Sequence, residues 1–231
     1  MNDYSRQTAQ ADYTPALGLR MLTPFYDAAI AAFTREGTWR KRLVAQIAPQ
    51  TGMRIVDIGC GTGTLTRALQ QAAPGTEVIG VDPDAQVLEK ARARAAAAGL
   101  AITYVEGFFD DHFIAAHGPF AVLTSSLVLH QVPLAGKAAI LRSAFRSLAS
   151  GGRLHVADYG AQPGRLMRFA FRNTVQRIDG VEDTEHNARG VLPELMREAG
   201  FDKIEVTGSI PTPSGAITLF QADKNTTGDP T

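Results

Sequence analysis

Three glycines at alternate positions, Gly59, Gly61 and Gly63, stand between an apolar run and a segment of helical spacing, with one acid, Asp57, just ahead of them. Glycine lets the backbone approach a ligand closely, and the N–H groups opening the next helix point at whatever sits there. The usual guest of such a turn is a pyrophosphate, held by Gly-x-Gly-x-x-Gly. Here the third glycine comes one residue early, and a carboxylate beside the turn suits a cationic ligand better than an anionic one. Asp82, followed by Pro83, closes a second apolar run, where nucleotide-binding sheets place an acid that accepts from both ribose hydroxyls. His130 follows a fourth apolar run, and an imidazole there can take a proton near neutral pH.

These residues need elements to hold them. Residues 53–58 read as a buried strand and 64–70 as the helix leaving the glycine turn. Residues 76–81 predict a second strand ending in Asp82-Pro83-Asp84, with Asp84 free to cap an alanine-rich helix over 85–98 that Gly99 closes. A third strand is expected over 101–105, followed by a turn carrying Phe108 and Phe109. The fourth runs from 119 past Ser125, and the fifth spans 154–158 behind a helix over 133–149 and the turn Ser150-Gly151-Gly152. Two alternating segments, 203–210 and 215–222, predict an antiparallel hairpin. His155, inside an apolar strand, reads as a packed core histidine.

Two regions flank this core of residues 51–224. Residues 1–50 predict helices over 15–20, 24–35 and 38–48, an N-terminal lid or brace, and 225–231 a polar tail. Within 163–178 a helical pattern places Arg165, Arg168 and Arg172 on one face, with Met167, Phe171, Val175 and Ile178 on another. Residues 160–190 are therefore expected to form a substrate cover, with 179–190 as a loop and the arginines receiving an anionic or lipid-associated substrate.

Composition narrows the field. The 231 residues carry 23 Lys+Arg against 23 Asp+Glu, so no bulk attraction to nucleic acid is indicated. Cys60 is the single cysteine, which excludes an intrachain disulfide and a cysteine metal cluster, and no metal is expected. No apolar run reaches the length of a membrane span, and no secretory pattern opens the chain. A cytoplasmic protein with no integral membrane segment is expected. Peripheral association and the oligomeric state stay open.

The run Val56-Asp57-Ile58-Gly59-Cys60-Gly61-Thr62-Gly63, with Asp82, the fourth strand and Gly151-Gly152, resembles the class I S-adenosylmethionine (SAM)-dependent methyltransferases. Leu22 to Asp27, Trp39-Arg40 and Ala157-Asp158-Tyr159 add a weaker likeness to the ubiquinone/menaquinone C-methyltransferase group. The resemblance implies an α/β, Rossmann-like sheet of seven strands, the last antiparallel, with helices on both faces. It implies SAM as cofactor and S-adenosylhomocysteine as product, with Asp57, Gly59, Cys60, Gly61 and Gly63 at the methionine end. Asp82 and Pro83 would hold the ribose, Phe108 and Phe109 flank the adenine, Ser125 lie near the transferred methyl, and Tyr26 close over the methionine end. His130 becomes the candidate base toward a small-molecule acceptor, quinol- or phenol-like, methylated at carbon or oxygen. The chain departs from the family pattern at Phe108 and Ala121, where acids are usual. A SAM-binding module without catalysis and a nicotinamide oxidoreductase are the alternatives, the latter needing its third glycine one residue later.

Overall fold

The structure is a computed structural model that describes residues 33–225. Tyr26, the helix expected over 15–20, all but the end of the one over 24–35 and most of the tail lie outside the described residues.

One seven-stranded sheet has the order β3-β2-β1-β4-β5-β7-β6. Its strands are β1 (Arg54–Ile58), β2 (Glu77–Asp82), β3 (Thr103–Glu106), β4 (Phe120–Ser126), β5 (Leu148–Tyr159), β6 (Asp202–Thr212) and β7 (Gly215–Asp223). β1 to β5 run parallel, and β7 pairs antiparallel with both β5 and β6, which makes the expected terminal hairpin. α1 (Glu36–Ile47) precedes the sheet. α2 (Thr64–Ala72), α3 (Ala85–Ala97), α4 (Asp111–His117) and α5 (Leu134–Ser147) connect the parallel strands. Between β5 and β6 lie α6 (Gly164–Asn173), α7 (Val175–Ile178), α8 (Val181–Ala188) and α9 (Leu192–Glu198).

The burial pattern explains why the sheet forms. Ile55 to Ile58 are all buried, the continuous pattern of a parallel strand covered on both faces. Val56 and Ile58 pack with Leu123 and Leu141 on one side of the sheet, whereas Ile55 packs with Trp39, Leu43 and Leu69 on the other. Asp57, by the two-residue period, shares the face of Ile55. α3 begins on the Asp84 carboxylate, which accepts from the N–H groups of Gln86 at 2.8 Å and Val87 at 3.3 Å, a cap worth about 1 kcal/mol. α1 is pinned to the sheet through Gln46, whose side-chain amide donates to His155 Nδ1 at 2.9 Å and to the Phe220 carbonyl at 3.0 Å. His155 is thus a hydrogen-bonded core residue, and burial holds its pKa down to about 3, so it stays neutral.

Three departures have physical reasons. α4 fills the β3–β4 connection, capped by Asp110 accepting from the Phe113 N–H at 2.9 Å. The helix expected over 163–178 breaks at Thr174, whose hydroxyl donates to the carbonyls of Ala170 at 2.7 Å and Ser214 at 3.2 Å. Residues 181–188, read as loop, form α8, because its buried face of Thr184, Asn187 and Ala188 is largely polar and carries no apolar stripe. Among the described residues no helix is long and apolar enough to cross a membrane.

Candidate functional site

The strand order reverses between β1 and β4, so the connections leaving their carboxyl ends run to opposite sides and a crevice opens between them. A cavity of about 360 Å³ occupies it. Its floor is the glycine turn, one end is Asp82-Pro83-Asp84 after β2, the other is Glu36, Trp39 and Arg40 of α1, and Ser126 to Val128 with Gln131 form the wall after β4.

The glycine turn is tied to its neighbours. The Gly59 and Cys60 N–H groups donate to the Val81 carbonyl at 2.9 and 3.1 Å, and the Gly63 N–H to the Cys60 carbonyl at 3.0 Å. All three glycines are left-handed, with φ of 69°, 51° and 71°. Their missing side chains do different work. A Cβ at Gly59 would strike Val128 and one at Gly63 would strike the Tyr104 hydroxyl, whereas one at Gly61 would meet nothing within 4 Å. The middle glycine thus keeps the cavity floor open to a ligand laid against the backbone.

Asp82 is nearly buried but lines the cavity. Its Oδ2 accepts from the Gly61 N–H at 2.9 Å and its Oδ1 from the Asp84 N–H at 3.0 Å. Burial raises its pKa above the ordinary carboxylate value, against the pull of those two N–H groups. Each oxygen retains acceptor capacity for a ligand hydroxyl. Asp57 is fully buried below the floor, and neither of its oxygens has a hydrogen-bond partner among the described residues. Burial pushes its pKa up to about 8, with Arg40 opposing and Asp82 adding to the shift. Cys60 lines the cavity, and burial with the nearby Asp57 and Asp82 pushes its thiol pKa up, which disfavours the reactive thiolate.

The structure brings Gly59, Cys60, Gly61, Asp82 and Pro83 together around the cavity, with Gly63 and Asp57 just behind. It does not bring in every expected residue. Phe109 is buried in the core against Phe113, ring centroids 5.5 Å apart, so it plugs the sheet face rather than facing a ligand. Phe108 is exposed in the turn beside Asp82 and is not part of the cavity lining. Ser125 is buried with its hydroxyl donating to the Ile58 carbonyl at 3.0 Å, and Ser126, one residue on, faces the cavity instead.

His130 stands apart from the cavity. It is buried outside the cavity lining, its Nδ1 2.7 Å from Asp158 Oδ1 and its Nε2 3.5 Å from Asp179 Oδ2. Burial alone would lower its pKa, but the two carboxylates outweigh it and raise the value to about 9. An imidazolium already protonated and sealed at both nitrogens is not placed to accept a proton from an acceptor in the cavity.

The arginines separate too. Arg168 is taken up within the fold, donating to the Ala188 carbonyl at 3.0 Å and pairing with Glu185. Arg165 and Arg172 are exposed, and the exposed Leu166 and Phe169 share their helix. Sequence reasoning missed Glu36, Arg40 and Gln131 as cavity residues; the only signal was Trp39-Arg40, read there as part of a family likeness without a role.

Comparison with known proteins agrees with this geometry. A methyltransferase domain model matches residues 55–152, from β1 to the bulge that opens β5. A demethylmenaquinone methyltransferase of Thermus thermophilus is 30% identical over 186 residues, spanning 76% of this chain and 81% of its own. A ubiquinone biosynthesis O-methyltransferase of Thiobacillus denitrificans is 27% identical, spanning 80% and 79%. Among solved structures, phosphoethanolamine N-methyltransferase 2 of Haemonchus contortus in complex with S-adenosyl-L-methionine shares the fold, with a TM-score of 0.63 at 18% identity, 81% of this chain and 52% of that one being covered. With the glycine turn, the open floor at Gly61 and the acid at the end of β2, these likenesses place the chain in a family: it belongs to the class I SAM-dependent methyltransferases.

Proposed function

We propose that this methyltransferase acts on a small-molecule acceptor of quinol or phenol type, at carbon or oxygen. The observation that carries the reading is the cavity wall after β4, lined by Leu127 and Val128 with Ser126 and Gln131, Val128 standing against Gly59 of the glycine turn. An aromatic ring suits an apolar wall with few polar groups. Relatives named for menaquinone and ubiquinone biosynthesis, matched over most of both chains, support the same class.

In this reading Asp82 holds the ribose hydroxyls with its remaining lone pairs, Gly61 gives the ligand room, and Asp57, below the floor, ionises in answer to the cationic methionine end. SAM supplies an electrophilic methyl group on a sulfonium. What the chain supplies is alignment, which in well-oriented systems removes on the order of 7–11 kcal/mol from a barrier. Residues 1–32, with Tyr26, join the described chain at Phe33, next to the cavity-lining Thr34, so they are attached where a lid over the methionine end would start. Residues 160–190 serve as the acceptor cover, and Arg165 and Arg172 with Leu166 and Phe169 suit a surface met by a lipid-soluble acceptor.

Turnover with SAM against a panel of quinols, phenols, amines and thiols tests the proposal, with methylated product and S-adenosylhomocysteine both quantified. Methylation confined to amines or thiols would overturn it.

A further inference from the structure

α6 turns an inverted face to its surroundings. Of its aromatic side chains, Phe171 is fully buried, its ring centroid 5.2 Å from that of Tyr159, whereas Phe169 is 66% exposed and the neighbouring Leu166 is 74% exposed. The arginines divide in the opposite sense. Arg168 turns inward to the Ala188 carbonyl and Glu185, while Arg165 and Arg172 are exposed. Arg165, Phe169 and Arg172 stand at i, i+4 and i+7 on one helical face, with Leu166 beside them, so the outward side combines two large apolar groups with two cations. Among the described residues, four of the eight exposed large apolar side chains fall between Leu166 and Val181, which makes this a local feature of the cover and not general surface scatter.

The charge of the stretch decides what fits it. From Pro163 to Ile178 the chain carries four arginines and no acid, in a protein whose 23 Lys+Arg and 23 Asp+Glu balance. The acids that follow are engaged: Asp179 faces His130, and Glu185 takes Arg168 and Arg189. A second copy docked by the same face about a two-fold axis would set these arginines against one another. An anionic phospholipid surface meets both halves of the pattern, because its headgroups attract arginine and the acyl boundary beneath them takes leucine and phenylalanine.

We propose that α6 docks this methyltransferase on an anionic lipid bilayer, with Leu166 and Phe169 entering below the headgroups and Arg165 and Arg172 lying at their level. The apolar stems of the two arginines let their charged ends stay among the phosphates while the helix sinks. The contact of Asp179 with His130 joins the cover to the turn Leu129–Gln131, and Gln131 lines the cavity. A docked cover therefore lies next to the cavity wall after β4, close to where a lipid-soluble acceptor dissolves. That consequence rests on the acceptor reading above; the docking itself does not.

The test is co-sedimentation of the full chain with vesicles of phosphatidylcholine alone and of phosphatidylcholine with an equal part of phosphatidylglycerol, at low and high salt. Wild type, Leu166→Ser/Phe169→Ser and Arg165→Gln/Arg172→Gln are compared. The wild type should bind the mixed vesicles at least about 10-fold more tightly than the neutral ones, and lose that preference at high salt. Each double variant should bind the mixed vesicles about 10- to 100-fold more weakly, with an unchanged Tm because all four side chains are exposed. No binding of the wild type to the mixed vesicles, or equal binding by either double variant, would overturn the proposal. So would a clear fall in Tm of the serine variant, which would mean that the face is packed within the chain. Self-association abolished by the serine pair, without vesicle binding, would make a second copy the occupant and overturn lipid docking. A failed acceptor screen with vesicle binding intact would overturn the acceptor reading alone.

Discussion

His130 and Asp158 are joined from imidazole Nδ1 to carboxylate Oδ1 at 2.7 Å, and the same carboxylate also accepts from the backbone N–H groups of Val128, Leu129, His130 and Tyr159. One buried acid therefore folds the outlet of β4 against the end of β5. On its other side His130 meets Asp179, between α7 and α8, so the imidazolium bridges the sheet and the cover. The Tyr159 ring stands edge-on to it, ring centroids 5.0 Å apart.

A pH dependence follows from this bridge. The folded His130 pKa, about 9, lies above the ordinary 6.5, so its stabilising contribution is complete below about 6.5 and is lost as pH rises through 9. Lys137, which also feels Asp158 and Asp183, is lowered by burial to about 8 and has the opposite sign, so the wild type alone does not isolate the histidine. The stability difference between wild type and His130→Asn, from urea unfolding at fixed pH, should shrink steadily between pH 6.5 and 9.5. A difference that grows with pH would contradict the bridge.

Truncating the same residue separates positioning from catalysis. His130→Ala leaves a buried carboxylate short of its partner and should cost about 3 kcal/mol of stability, with S-adenosylhomocysteine affinity retained. A kcat loss of about 10²-fold or more at unchanged stability would restore the general-base role.

Substitutions in the glycine turn should divide. Gly61→Ala places a methyl into open cavity space at modest backbone strain, so the protein should fold with a small fall in Tm and lose most of its S-adenosylhomocysteine binding. Gly63→Ala drives a methyl into Tyr104 and should lower stability first. Differential scanning calorimetry alongside ligand titration reads both, and equal behaviour of the two variants would rule out the assignment of Gly61 to the cavity floor.

At Asp82, replacement by alanine should weaken S-adenosylhomocysteine binding about 10- to 100-fold at pH 7. Asp82→Asn, which keeps one carbonyl acceptor, should fall between. Affinity unchanged in Asp82→Ala would remove the ribose role.

Proton release offers a test of Asp57. With a pKa near 8 its carboxyl is mostly protonated at pH 7, and a cationic ligand group nearby favours the ionised form. Binding of S-adenosylhomocysteine at pH 7 should therefore release a proton, visible as a titration enthalpy that varies with the ionisation enthalpy of the buffer. The dependence should vanish in Asp57→Asn, and its persistence there would assign the proton to another group.

The parallel strands, the hairpin and the glycine turn were legible because their signals are local: runs of buried residues, a period of two, and glycines at fixed spacing. What was not legible depends on partners distant in sequence. α8 carries no apolar stripe because Asn187 spends its amide on the Tyr159 carbonyl, a contact formed only in the folded chain. His130 follows Leu127, which adopts a left-handed φ of 55° and redirects the chain, and no periodicity reports which way the ring then points. Arg168 looks like a free cation on a helix face until Glu185 is brought to it. Phe108 and Phe109 are adjacent and chemically identical, and only the register of the turn decides which of them enters the core. Arg40 sits beside a core tryptophan on an amphipathic helix, so its pattern reads as packing.

The hydrogen bonds that fix the glycine turn run to Val81 and Asp82, on β2, while the facing wall comes from the stretch after β4, beyond the crossing point of the sheet. The two walls of one cavity are thus encoded in non-overlapping parts of the gene. On the proposed reading, acceptor choice can drift through changes in the later stretch while the earlier one is held constant, so a lineage can acquire new substrates without relearning its cofactor. The seam between them is the contact of Gly59 with Val128, and there a larger side chain on either wall would be felt by both.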